Sequence, residues 1–194
     1  MLVSIENIAD DVLLGLWKME DEPSLKAREK EQKAVRELVA AMLQYKTSIG
    51  ESSRTDEPVE IGHKESGKPI LKDWHISISH TKGYAAVLLS KNHEVGIDIE
   101  YVSERVKRIA DRFLRPDEQA ENTIDLLLHW CAKEAVYKLY SEQDLTFQQM
   151  KIVDLQTESD FFHVESEMNN GIVSVTKVFY LVHQDYVLTY TWIS

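Results

Sequence analysis

The chain has 194 residues, of which 43% are hydrophobic, and a formal net charge of −11 at pH 7. That length suits one generous domain or two small halves sharing a core, and the hydrophobic fraction excludes wholesale disorder. So acidic a chain lacks the basic footprint of a non-specific nucleic-acid binder, and its single cysteine, Cys131, excludes an internal disulfide.

The first stretch, "MLVSIENIADDVLLGLWKME", has no positive leader, and Glu6, Asp10 and Asp11 interrupt its apolar residues, so it does not read as a signal peptide. No apolar run reaches the roughly 20 residues a membrane helix needs. A cytoplasmic location is the expectation. Residues 24–46 predict a helix capped by Ser24, with Val35, Leu38, Val39, Met42 and Leu43 at helical spacing. Residues 47–73 are polar and broken by Gly62, Gly67 and Pro69, so they predict loop, with a short strand at Val59–Ile61. "WHISISH" alternates as a strand, and "YAAVLLS" after Gly83 is apolar enough for a buried one. "VGIDIE" is the next strand, and residues 103–115 predict a helix. Residues 124–140 give the clearest helix, with Leu127, Cys131, Ala135 and Leu139 four apart. The remainder is strand-rich: "KIVDL", "DFFHVES", "IVSVTKVFYLV" and "YVLTYTWI", the last two pairing across "HQD". The expected class is α+β with antiparallel strands.

Five motifs hold candidate chemistry. On the "VGIDIE" strand, Asp98 and Glu100 lie two apart and share one face, while Ile97 and Ile99 take the other. Two acids so placed suit either a solvated edge strand or a divalent cation bridging both; Mg²⁺ takes such oxygen ligands. In "WCAKEAVYKL", Glu134 and Lys138 lie one helical turn apart on the face of Trp130. They read as a surface pair, or as a third carboxylate with an ammonium for a phosphate. Ser79 and His80 end a strand, where an imidazole either packs structurally or donates to a phosphate oxygen. Lys68, in "SGKPI", is a turn lysine or a phosphate contact. Finally, Arg105, Arg108, Arg112 and Arg115 are spaced three, four and three. They predict a basic helical stripe, either solvated with pairs such as Glu104–Arg108 or a docking surface for an acidic partner.

Taken together, "GKP", "SISHTKGYAAV", "VGIDIE", "RFLRPDE" and "WCAKEAVYK", in that order over residues 66–140, resemble the 4′-phosphopantetheinyl transferases. The likeness is to the monomeric type that activates surfactin synthetase, in its "W…KEA" branch. The resemblance implies a pseudo-dimeric α+β fold of two similar halves, residues 1–95 and 96–194, with coenzyme A in the cleft between them. Asp98, Glu100 and Glu134 would be the Mg²⁺ carboxylates. Lys138 would stand at the coenzyme A diphosphate, and His80 with Ser79 near the diphosphate and 3′-phosphate. Lys68 would be the phosphate- or adenine-side lysine, and Lys26, Arg28, Lys30 and Lys33 are candidates for the 3′-phosphate. Glu118 stands where some relatives have a carboxylate near the reacting centre. The implied reaction moves the phosphopantetheine arm of coenzyme A to a serine of an apo acyl or peptidyl carrier protein and releases 3′,5′-ADP. Glu134, directly or through a metal-bound water, would accept the serine proton, and the basic stripe would meet the acidic carrier.

The chain departs from the family pattern in a short stretch between Glu118 and His129 and in the absence of glycines from "LYSEQDLTF". These bear on carrier choice and not on the three carboxylates. A Mg²⁺-dependent phosphodiesterase would also use the carboxylates, without needing the basic stripe. A non-catalytic coenzyme A or carrier-binding module would not need all three.

Overall fold

The first twenty residues form a hairpin. In a computed structural model that describes residues 1–50, 59–155 and 159–193, β1 (Leu2–Ala9) and β2 (Val12–Lys18) join through the two-residue turn Asp10–Asp11. The chain divides into two units, Met1–His93 and Glu94–Ser194.

In the first unit, β5 (His75–Thr81) and β6 (Tyr84–Ser90) complete an antiparallel sheet of order β1-β2-β6-β5. Gly83 makes the turn between them with φ 83°, a conformation that costs glycine least. One helix, α1 (Ala27–Ser48), packs on this sheet through Ala34, Val35, Leu38, Val39 and Met42, all buried. Its other faces are polar, so tertiary burial of this stripe, roughly 1.5–3 kcal/mol per large apolar side chain, holds the helix in place. Leu43 is only half-buried. The cap is not Ser24: Lys26 occupies that position, and the Glu29 carboxylate accepts from its backbone N–H at 2.8 Å. The short strand lies at Gly62–His63 (β3), just past the expected Val59–Ile61, and pairs with Pro69–Ile70 (β4). The turn sets this register: Lys64 N–H donates to the Lys68 carbonyl at 2.9 Å, and Gly67 takes φ 85°. The part of the expected loop at residues 51–58 lies outside the described residues.

The second unit is a five-stranded antiparallel sheet of order β7-β11-β10-β9-β8. Its strands are β7 (Glu94–Tyr101), β8 (Met150–Val153), β9 (Phe161–Glu167), β10 (Val173–Val182) and β11 (Tyr186–Ile193). β10 and β11 pair as expected, from Phe179↔Tyr190 to Val182↔Val187. The long helix α3 (Thr123–Leu139) begins at Asn122, whose side chain accepts from Ile124 and Asp125 N–H, and lies on β7 and β11. Leu127, Cys131, Ala135 and Leu139 are buried beneath it. Both units therefore set one long helix on an antiparallel sheet, and the α+β class holds.

Residues 103–115 are not one helix. A 3₁₀ turn at Glu104–Ile109 leads into a single α-helical turn, α2 (Ala110–Phe113), and the chain is extended at Leu114. Val106 and Phe113 are buried, so the apolar side was read correctly; the continuous stripe of four arginines was not. Among the described residues no helix is long and apolar enough to cross a membrane.

Candidate functional site

β7 carries the site because its two faces have different neighbours. Ile97 and Ile99 are fully buried on one face, and Asp98 and Glu100 point from the other toward α3. The helix can lie this close because of Gly96: a Cβ there would stand 2.1 Å from the Ala135 carbonyl oxygen. Asp98 is thus not a solvated acid but 5% exposed. The Lys138 ammonium donates to its Oδ1 at 2.7 Å and to the Ile97 carbonyl at 2.9 Å. One turn back along α3 stands Glu134, and one further turn back Trp130, whose Nε1–H donates to Glu100 Oε1 at 3.3 Å. The expected face of Trp130, Glu134 and Lys138 is therefore the face that meets the two acids of β7.

Glu134 registers the crowding. Burial, and then the Asp98 charge, push its carboxyl up to about 7, with Glu100 adding to the rise and Lys138 opposing it. Cys131, on the same helix, is wholly buried, which pushes its thiol well up and leaves it an inert core residue.

Lys133 and Glu118 form a buried pair with each other. Their side chains are 0% and 2% exposed, and Lys133 Nζ meets Glu118 Oε2 at 2.5 Å. Glu118 also accepts from Arg115 N–H at 2.9 Å and Ile152 N–H at 2.8 Å. In this structure Glu118 is a buried anchor whose carboxylate is held by Lys133 and two backbone N–H groups. Burial pushes the Lys133 ammonium down, opposed by Glu118. Arg115 differs from the other three arginines in being half-buried and tied within the chain: Asp117 holds its Nε at 2.8 Å, and the Gln148 carbonyl accepts from Nη1 at 2.5 Å. Arg105, Arg108 and Arg112 are exposed, and Lys107 joins them. Glu104 pairs with Lys107 and accepts from the Thr123 hydroxyl, rather than pairing with Arg108.

In the first unit, α1, β5 and the β3 segment surround a cavity of about 820 Å³. Arg28, Arg36, His63 and His80 bring donors to it, Glu31 and Glu60 bring acids, and Val35, Val59, Ile61 and Ile78 form apolar wall. His80 Nδ1 lies 3.7 Å from the Glu31 carboxylate. Arg36 and His63 escaped the sequence reading, although Arg28, Gln32 and Arg36 recur every fourth residue along one helix face. Of the α1 cations that are candidates for a phosphate, Lys30 and Lys33 pair with Asp21 and Glu22, each at 2.9 Å, Lys26 occupies the cap, and Arg28 lines the cavity. Lys68 is half-buried in the β3–β4 turn and Ser79 is buried on β5; neither is among the residues lining the cavity.

Residues 94–191, half of the chain, match the 4′-phosphopantetheinyl transferase superfamily. The chain belongs to this superfamily. It is also similar to "4′-phosphopantetheinyl transferase gsp" of Aneurinibacillus migulanus, with 36% identity over 86 residues. That match covers 44% of this chain and 36% of the relative, so the chain spans little more than a third of the curated relative's length. For this member of the phosphopantetheinyl transferase superfamily, the matched span runs from β7 to β11 and contains Asp98, Glu100, Glu134 and Lys138.

The donor set fits a hard divalent cation. Three carboxylates, two from a strand and one from a helix, supply only oxygen; burial, and after it the Asp98 charge, raises Glu134. Among the described residues no three His, Cys, Asp or Glu side chains are gathered as a ready-made metal site; the ammonium of Lys138 lies against Asp98.

Proposed function

We propose that this protein transfers the 4′-phosphopantetheine arm of coenzyme A to a serine of an apo carrier protein, and that Asp98, Glu100 and Glu134 hold the Mg²⁺ the reaction uses. The observation that carries the reading is that α3 lies on β7 with Trp130, Glu134 and Lys138 on the face toward Asp98 and Glu100, where Lys138 holds Asp98 and Trp130 donates to Glu100. When bound, Mg²⁺ would neutralise the diphosphate and polarise the phosphorus under attack.

The chain's own residues supply the rest. Phosphoryl transfer asks a protein mainly for positioning and charge stabilisation. The serine Oγ bonds to the phosphorus that carries pantetheine. The bond from that phosphorus to the bridging oxygen breaks, and its electron pair leaves with 3′,5′-ADP. Glu134 stands among the acids that would hold the cation and is the carboxylate proposed to accept the serine proton, directly or through a metal-bound water. Lys138 sets a positive charge beside the same acids, where diphosphate charge needs balancing. Arg28, Arg36, His63 and His80, above apolar wall, take the nucleotide end of coenzyme A, with Lys68 and Ser79 on neighbouring segments. Arg105, Arg108 and Arg112 meet an acidic carrier. A cytoplasmic, monomeric enzyme is part of the same proposal.

The test is incubation with coenzyme A, Mg²⁺ and a panel of apo acyl and peptidyl carriers, read by intact mass. The expected result is one phosphopantetheine added to a carrier serine, and Arg108→Glu or Arg112→Glu raises the KM for carrier at least fivefold while leaving that for coenzyme A unchanged. Coenzyme A cleavage without any carrier gaining mass would make the protein a phosphodiesterase. Coenzyme A binding without reaction on any carrier would make it a binding module.

A further inference from the structure

Trp130 is the residue whose surroundings the reaction leaves unexplained. It is half-buried on α3, and its ring is gripped from two sides. Phe113 meets it edge-on at 5.3 Å and 66°, and Phe147 lies at 5.3 Å and 55°. These two phenylalanines belong to separate segments, one ending α2 and the other just before β8. Lys133, three residues after Trp130 on the same helix, joins them: its ammonium donates to the Phe113 carbonyl at 2.7 Å and the Phe147 carbonyl at 3.4 Å. Glu118 closes the arrangement by binding Lys133 and accepting from Ile152 N–H of β8.

A buried ion pair is weak evidence of added stability, because desolvation offsets its attraction. This pair instead ties three chain segments together through backbone carbonyls and N–H groups. The two carbonyls it holds belong to the two residues that clamp Trp130, and the indole N–H so fixed donates to Glu100. We propose that Trp130 is a positioning residue for Glu100, and that the buried Lys133–Glu118 pair holds Trp130 in that place. The inference rests on the reading of Asp98, Glu100 and Glu134 as a cation site. The indole orients one carboxylate of the three, as partners of metal-binding carboxylates do.

Two measurements separate this inference from that reading. The first uses no metal: the indole ¹H–¹⁵N resonance of Trp130, assigned by its loss in Trp130→Phe, is compared between wild type and Glu100→Gln. The expected result is a clear shift; an unmoved resonance overturns the positioning role whether or not any cation binds. The second uses Mn²⁺ alone as probe, followed by water-proton relaxation without turnover. Wild type is expected to bind it and Glu134→Gln to lose it, and absence of wild-type binding sinks the cation reading. Trp130→Phe removes the donor and keeps one aromatic ring beside Phe113 and Phe147, so Mn²⁺ affinity should fall roughly tenfold with circular dichroism unchanged. Unchanged affinity overturns the inference. Lys133→Met, or Glu118→Gln should the first not fold, is expected to move the Trp130 resonance; an unmoved resonance removes the pair from the account.

Discussion

Glu134 bears the electrostatic tension of the site. Burial, and then the Asp98 charge, push its carboxyl up to about 7 from an ordinary value of 4.5, so the folded protein binds its proton more tightly than the unfolded chain does. Stability from this group is complete below pH 4.5. It falls as pH rises and is lost once pH passes about 7, a change of roughly 3 kcal/mol. Glu134→Gln keeps the shape without the charge and should flatten this decline. Urea denaturation at pH 5 and pH 8 is the measurement: wild type should be less stable at pH 8 by more than the variant is, and parallel losses would contradict the assignment. Such a decline is the cost of burying a carboxylate beside Asp98.

At the scale of elements, the site depends on how closely α3 lies on β7. Gly96 permits that approach, and Gly96→Ala would drive a methyl into helix backbone, which cannot yield as a flexible side chain does. The expected cost is about 1–3 kcal/mol or more in urea denaturation. Gly62→Ala, where the nearest atom would be 3.9 Å away, should cost far less. Equal effects would contradict the close-approach argument. These two elements were also the most legible in the sequence. Alternation placed Asp98 and Glu100 on one face, and helical spacing placed Trp130, Glu134 and Lys138 on one line. Residues 103–115 were harder, because spacings of three and four suit a 3₁₀ turn followed by one α turn as well as a continuous helix. The β1–β2 hairpin was missed because Val12–Leu16 is buried on both faces and shows no alternation. Lys133 was read only as part of a motif. A lysine becomes a buried tie through carbonyls and a carboxylate from other segments, which local patterning does not encode.

At the scale of the whole molecule, charge is unevenly placed. The chain carries −11 overall, yet Arg105, Lys107, Arg108 and Arg112 are exposed together within eight residues, against Glu104 and Asp111. Local complementarity of this kind sets which partner is met and how fast, and added salt weakens it. The acidic balance bears on solubility and not on the fold. The central claim is narrower: Glu134 joins Asp98 and Glu100 around one cation. The most direct measurement is the titration of the Glu134 side-chain carboxyl carbon by ¹³C NMR, from pH 4 to pH 9, with and without Mg²⁺. A midpoint near 7 that falls by more than one pH unit when Mg²⁺ is added is the predicted result. A midpoint that Mg²⁺ leaves unmoved would contradict it.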